Sequence, residues 1–198
     1  MSVSEIVRRT KINCIDIECA VAEYFSPRVN LIVPNVSWGL LFYEVDLLVV
    51  TPSNYCYEIE IKTSRSDLKA DMQKRHGHNS KKMRRLYFAI PDYLESSIEF
   101  IPARAGILMV SAPILNCSNL KCKCIRDPIN NNEAQKLSDA DRFQVARLGT
   151  MRIWSLKEIV RRRLWEAAIT SPNTPMPGET PQIVADILEG ELQAATSA

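Results

Sequence analysis

Hydrophobic and polar positions follow two rhythms along the chain, one helical and one alternating. Within residues 13–25, Cys14, Ile17, Val21, Tyr24 and Phe25 recur at the spacing of a single helical face, which predicts an amphipathic helix. A strand is expected at Leu31–Val36, broken by Pro34. Two apolar runs, 40–50 and 55–62, flank the turn-type segment Thr51-Pro52-Ser53-Asn54, which is the pattern of a β-hairpin. Ser66–Asp71 starts a second helix, capped by Ser64 or Ser66, and His76-Gly77-His78-Asn79-Ser80 interrupts it. The basic run Lys81–Arg85 enters a strand at Leu86–Ile90, closed by Pro91 because proline supplies no ladder donor. Further strands are expected at 105–110 and, at an edge, at 122–126. The Asn-rich stretch 128–137 suits a loop, and 138–167 suits two helices, with Ser155 capping the second.

Together these elements predict an α/β domain over residues 1–168, with a mixed central β-sheet flanked by helices. Residues 169–198 differ in kind. Pro172, Pro175, Pro177 and Pro181 favour an extended linker, and Ile183, Val184, Ile187 and Leu188 then mark a short amphipathic helix. That helix is expected to be a loosely attached tail, with docking on the domain, pairing with a second copy in a homodimer, or recruitment of another partner as the alternatives.

The predicted hairpin carries groups that packing alone does not call for. Strand side chains alternate, so Glu60 and Lys62 share one face and Ile59 and Ile61 the other. With the turn centred near Ser53, Asp46 falls opposite Glu60. Two carboxylates and an ammonium then meet within a few ångströms. Hard divalent cations such as Mg²⁺ take oxygen ligands, usually one or two carboxylates completed by water and phosphate oxygens. A cation on Asp46 and Glu60 would polarise a phosphate and acidify a bound water, and Lys62 would orient or deprotonate that water or neutralise developing charge. Glu-x-Lys alone is equally an ordinary pair on an exposed sheet face. Asp46 in the partner strand is what favours the chemical reading.

This arrangement resembles the PD-(D/E)XK nuclease superfamily, the group with restriction-endonuclease-like and Holliday-junction-resolvase-like folds. Asp46 matches the family's first acid, Glu60 its second and Lys62 its lysine; Val45 stands where proline often precedes the first acid. Leu86–Pro91 and Ala105–Val110 resemble the two later strands of that core, so the likeness extends over about residues 13–125. It implies a restriction-endonuclease-like fold and Mg²⁺-dependent DNA cleavage, with Mn²⁺ as a substitute, in repair, recombination or phage DNA processing. It also implies a metal-facing glutamate on the first helix. Glu18 lies on the flank of the apolar stripe there, whereas Glu23 lies nearly opposite it, so Glu18 is the candidate. Glu44 and Glu58 share the strand parity of Asp46 and Glu60 and are read as outer or strand-end charges. The alternative function is a nucleic-acid-binding module that keeps the fold without cutting.

Charge adds a direction for DNA. The formal net charge is only +2, which on its own suggests no nucleic acid. Between residues 62 and 85, however, Arg65, Lys69, Lys74, Arg75, Lys81, Lys82, Arg84 and Arg85 face only Asp67 and Asp71. A basic excess of this kind is the expected footprint of a phosphate backbone, although a solvated helix face would look similar. Cys14, Cys19 and Cys56 sit in apolar patterns and are expected to be buried. Cys117, Cys122 and Cys124 lack the fourth ligand of a zinc site unless His76 or His78 reaches them. With no signal-peptide pattern and no apolar run of membrane-spanning length, a cytoplasmic protein with reduced thiols is expected.

Overall fold

In the computed structural model the described residues are 12–37, 43–72, 78, 80–112 and 120–170. The chain divides into two compact units, Met1–Arg152 and Ile153–Ala198. The first holds helix α1 (Cys14–Phe25), strands β1 (Leu31–Val36), β2 (Val45–Val50) and β3 (Cys56–Ile61), helix α2 (Arg65–Asp71), and strand β4 (Met83–Pro91). A 3₁₀ helix (Asp92–Phe100) and strands β5 (Gly106–Ser111) and β6 (Lys121–Arg126) follow. Helix α3 (Asp139–Thr170) crosses from the first unit into the second. The architecture is α/β, a six-stranded mixed sheet flanked by helices.

The strands lie side by side in sequence order, β1 to β6. β1, β2 and β3 form an antiparallel meander, β3, β4 and β5 are parallel, and β6 returns antiparallel. Parallel neighbours need a crossover connection, and α2 and the 3₁₀ helix supply the two that are required. The central strands are almost continuously buried on both faces, and most of their residues are apolar, with Glu58 and Glu60 of β3 as buried exceptions.

On one face α1 presents Ile17, Ala20 and Val21 to Leu47, Val49, Ile59, Ile61, Ala89, Leu108 and Val110. Asn13 caps α1 reciprocally with Asp16, holding two backbone N–H groups that the first turn would otherwise leave unsatisfied. The other face carries two apolar clusters. Leu137 and Val145 cover Val33, Leu48, Val50 and Cys56, while Leu68 and Leu94 cover Leu86, Phe88, Ile90 and Ile107. Glu58 and Glu60 on β3 have the strand parity of that second face. They place a polar seam there.

Several expectations need correction. α3 is one continuous helix, so Ser155 is an interior residue; Ser138 is the cap, its Oγ accepting from the Asp141 N–H at 3.1 Å. Pro34 does not break β1. The strand is at the sheet edge, where a missing donor is tolerated, and the irregularity falls on Asn35, whose φ is 51°. Cys14 and Cys19 are exposed rather than buried: Cys19 lies about 200° from Ile17 on the helical wheel, while Cys14 is on the inward side but stands at the first residue of the helix. Cys56 is buried, and burial pushes its thiol up to about 12. Residues 171–198, with the Pro-rich linker and the short helix expected there, lie outside the described residues, as do Lys74, Arg75, His76 and Cys117.

Candidate metal centre

The hairpin register sets the site. Leu47 pairs with Ile59 and Leu48 with Glu58, and continuing that register brings Asp46 opposite Glu60. Asp46 does not simply extend the ladder. Its Oδ2 accepts the Ile61 N–H at 2.8 Å, while the Lys62 N–H is taken by the Ala89 carbonyl of β4 at 3.0 Å. The Asp46 side chain is 36% exposed, and Lys62 behind it is 6% exposed. The site thus has an open side and an enclosed side.

Lys62 Nζ is the hub. It donates to Glu60 Oε2 at 2.7 Å and stands 3.2 Å from Asp71 Oδ1 and 3.8 Å from Asp46 Oδ2. Burial opposes its charge, but Glu60, Asp46 and Asp71 hold its pKa above the ordinary lysine value. Removing any one carboxylate would weaken the compensation of a buried cation, so these groups act as a unit. Asp71 arrives from the last turn of α2, three residues after the buried Leu68. Ser64 starts that helix, with its Oγ accepting the Asp67 N–H at 3.2 Å.

His78 extends the network inward. It occupies the left-handed region at φ 55° and is almost fully buried. Nδ1 lies 2.6 Å from Glu58 Oε1 and 3.9 Å from Glu60 Oε1, and Nε2 lies 2.8 Å from Asp71 Oδ2. Burial disfavours the imidazolium, yet the hydrogen bonds to Asp71 and Glu58 prevail and raise its pKa to about 9. Tyr43 closes the chain by donating its hydroxyl to Glu58 Oε2 at 2.8 Å; burial and the neighbouring Glu58 keep that phenol protonated by raising its pKa.

Asp46, Glu60 and Lys62 are therefore brought together. Glu18 is half-buried on α1, and its pKa is raised first by burial and then by the charge of Asp46, which places the two carboxylates in each other's field. Asp46, Glu60 and Glu18 are oxygen donors of the kind a hard divalent cation takes, but among the described residues the group of three whose ligand atoms lie within 4.8 Å of one another is Glu58, Glu60 and His78. Glu58 is not a strand-end charge: it is fully buried at mid-strand and bonded to His78 and Tyr43, whereas Glu44 is exposed. Asp71, His78 and Tyr43 were missed by the sequence reading. Asp71 alone left a trace, an acid one helical turn beyond an apolar anchor.

The basic residues separate into two groups. Arg65 begins α2 three residues after Lys62, pairs with Glu99 at 3.3 Å, and shares the Phe100 ring with Lys69. Arg85, by contrast, is level with Tyr57 in the parallel β3–β4 register, five residues before Lys62 and about 16 Å along the sheet. Arg84 donates to the Asn131 carbonyl and lies over Tyr55; Arg85 donates to Asn130 and lies over Tyr57. Lys82 stands 3.6 Å from Asp141, and Lys81 is exposed beside it. The run Lys81–Arg85 thus lies at the far end of β3 from Lys62, with its arginines pinned to the 130–131 loop. Its place in the sequence just after the hairpin gave no hint of this, because the crossover returns the chain to the start of the sheet.

No family model matches the chain, and the comparison with curated proteins gave no match. Among solved structures, the chain is similar to a protein of unknown function from Silicibacter pomeroyi, with 20% identity and a TM-score of 0.49, covering 88% of this chain and 100% of that one. Among the described residues no helix is long and apolar enough to cross a membrane.

Proposed function

We propose that the protein is a metal-dependent DNA nuclease of the PD-(D/E)XK type on a restriction-endonuclease-like core. The observation that carries this reading is the convergence of Asp46, Glu60 and Asp71 on the buried Lys62 ammonium, at the open end of an antiparallel hairpin that leads into parallel strands. Asp46 and Glu60, with Glu18, would hold Mg²⁺ or Mn²⁺. When bound, such a cation polarises the phosphate and lowers the pKa of a coordinated water. Lys62 is a donor in this setting. As an ammonium it has no lone pair to take a proton, so its part is to orient the attacking water and offset charge on the phosphoryl oxygens. Asp71 and Glu60 fix its position from two sides, and Asp46 stays accessible to a phosphodiester.

The DNA backbone would then approach from the Asp46 side. Arg65 and Lys69 are the described cations closest in sequence to Lys62 on that approach, whereas Lys81, Lys82, Arg84 and Arg85 would meet DNA only if the duplex also ran along the opposite end of the sheet. The test is cleavage of a panel of duplex, nicked, branched and single-stranded DNAs with Mg²⁺, comparing the full chain with Asp46→Asn and Glu60→Gln. Binding without cutting by the unaltered chain would support the non-cleaving module instead.

A further inference from the structure

We infer that Glu58, Glu60 and His78 form a second, enclosed cation site that takes a divalent first-row transition metal. It shares Glu60 with the hydrolytic site proposed above but does not rest on that activity.

The three residues offer ligand atoms that all lie within 4.8 Å of one another, and all three are buried. Each has its other polar atom held from outside the trio. Tyr43 donates to Glu58 Oε2, Lys62 donates to Glu60 Oε2, and Asp71 Oδ2 engages His78 Nε2. Those three anchors come from the segment before β2, from the end of β3 and from α2. They leave Glu58 Oε1, Glu60 Oε1 and His78 Nδ1 converging on one point. This is the outer shell expected of a metal histidine, whose far nitrogen is oriented by a carboxylate so that the near one faces the ion.

The spacing suits an ion. Metal–ligand bonds of about 2.0–2.2 Å place neighbouring donors roughly 3.0–3.4 Å apart. The 2.6 Å and 3.9 Å separations from Nδ1 to Glu58 Oε1 and Glu60 Oε1 bracket that range, and the ligand atoms of the trio all lie within 4.8 Å of one another. Charge points the same way. Within the cluster four carboxylates, Asp46, Glu58, Glu60 and Asp71, face two cationic groups, the Lys62 ammonium and the His78 imidazolium, and an ion bound at Nδ1 would displace the imidazolium proton to solvent. The donor set decides the class of ion. An imidazole nitrogen is a poor ligand for Mg²⁺ and Ca²⁺ but a good one for transition metals, and enclosure removes the waters that Mg²⁺ prefers to keep. The open side of the cluster thus suits Mg²⁺ and the enclosed side a softer ion.

The experiment is a Mn²⁺ titration of the full chain in excess Mg²⁺, read by electron spin-echo modulation, which detects a nitrogen bound directly to the ion. The expected result is Mn²⁺ held against Mg²⁺ with a ¹⁴N signature that becomes ¹⁵N when histidine is labelled. The signature should vanish in His78→Gln and persist in His76→Ala and Asp46→Asn. Asp71→Asn should weaken Mn²⁺ binding about ten- to a hundredfold while keeping the nitrogen signal, as outer-shell changes do. Mn²⁺ that fails to bind, binds without nitrogen coupling, or keeps the coupling in His78→Gln would overturn the site. The unaltered chain decides the first two outcomes, so a variant that fails to fold does not rescue the inference. Loss of Mg²⁺-dependent cleavage bears on the hydrolytic reading alone.

Discussion

Stripped of metal by a chelator, the protein should lose stability as pH rises from about 6.5 to 9, and His78 should account for the loss. Its imidazole is nearly buried, bonded to Asp71 and Glu58, and raised from 6.5 to about 9. The folded state therefore binds the proton more tightly than the unfolded chain does. Below about pH 6.5 both states are protonated and the stabilisation is complete; above about pH 9 neither is, and it is gone. At 1.36 kcal/mol for each unit of pKa, the difference is about 3 kcal/mol. That is a large share of the roughly 5–15 kcal/mol by which a domain is usually stable. The assay is urea unfolding at about pH 6, 7.5 and 9.5 with chelator, for the unaltered chain and for His78→Gln. Titrating groups outside the network are common to both proteins and cancel, so the comparison reads His78 together with the Asp71 and Glu58 carboxylates bonded to it. The stability advantage of the unaltered chain over His78→Gln should shrink by about 3 kcal/mol across the range. Two parallel pH profiles would refute the reasoning and would mean that His78 is neutral in the folded state.

Gly106→Ala should destabilise the fold by about 1–3 kcal/mol in thermal or urea unfolding, because an added Cβ would lie 2.6 Å from Tyr87 Cδ1 and 2.9 Å from Pro128 Cδ. An unchanged midpoint would show that the Tyr87 ring yields freely. Ser64→Ala should cost about 1 kcal/mol by removing the α2 cap, and hydrogen exchange should rise first in the Arg65–Asp71 turn that carries Asp71. Replacing Arg65 and Lys69 together by Ala should flatten the dependence of log K for DNA on log salt by up to about two units, whereas Lys81 with Lys82 should change it little. Equal effects from the two pairs would place the backbone along the whole sheet.

The hairpin was legible in the sequence because a turn and a two-residue period fix register strongly once one residue pair is aligned. The approach of Lys62 to both Asp46 and Glu60 followed from that rule. The first helix was legible for the same kind of reason, although Cys19 was assigned to the wrong side and Cys14, at the first residue of the helix, is exposed. What the sequence did not disclose depends on tertiary placement. His78 reaches Glu58 from twenty residues away through a residue at positive φ, and no local pattern announces that contact. Glu58 looked like a strand-end charge, yet it lies at mid-strand under the seam between two apolar clusters. The basic run Lys81–Arg85 looked continuous with the hairpin site, but the parallel register of β4 carries it to the other end of the sheet. Ser155, a residue type that often caps a helix, suggested a break in 138–167, but it lies inside one continuous α3.

The most direct test of the central claim is DNA cleavage by the full chain in Mg²⁺, measured beside Asp46→Asn, Glu60→Gln and Lys62→Ala, with folding of each verified by circular dichroism. The account predicts metal-dependent phosphodiester cleavage that Asp46→Asn and Glu60→Gln abolish. Lys62→Ala should lower turnover strongly while Mg²⁺ still binds, because the ammonium is not a ligand. Cleavage at the unaltered rate in folded Asp46→Asn or Lys62→Ala, or no cleavage of any DNA by the unaltered chain with Mg²⁺ or Mn²⁺, would contradict it.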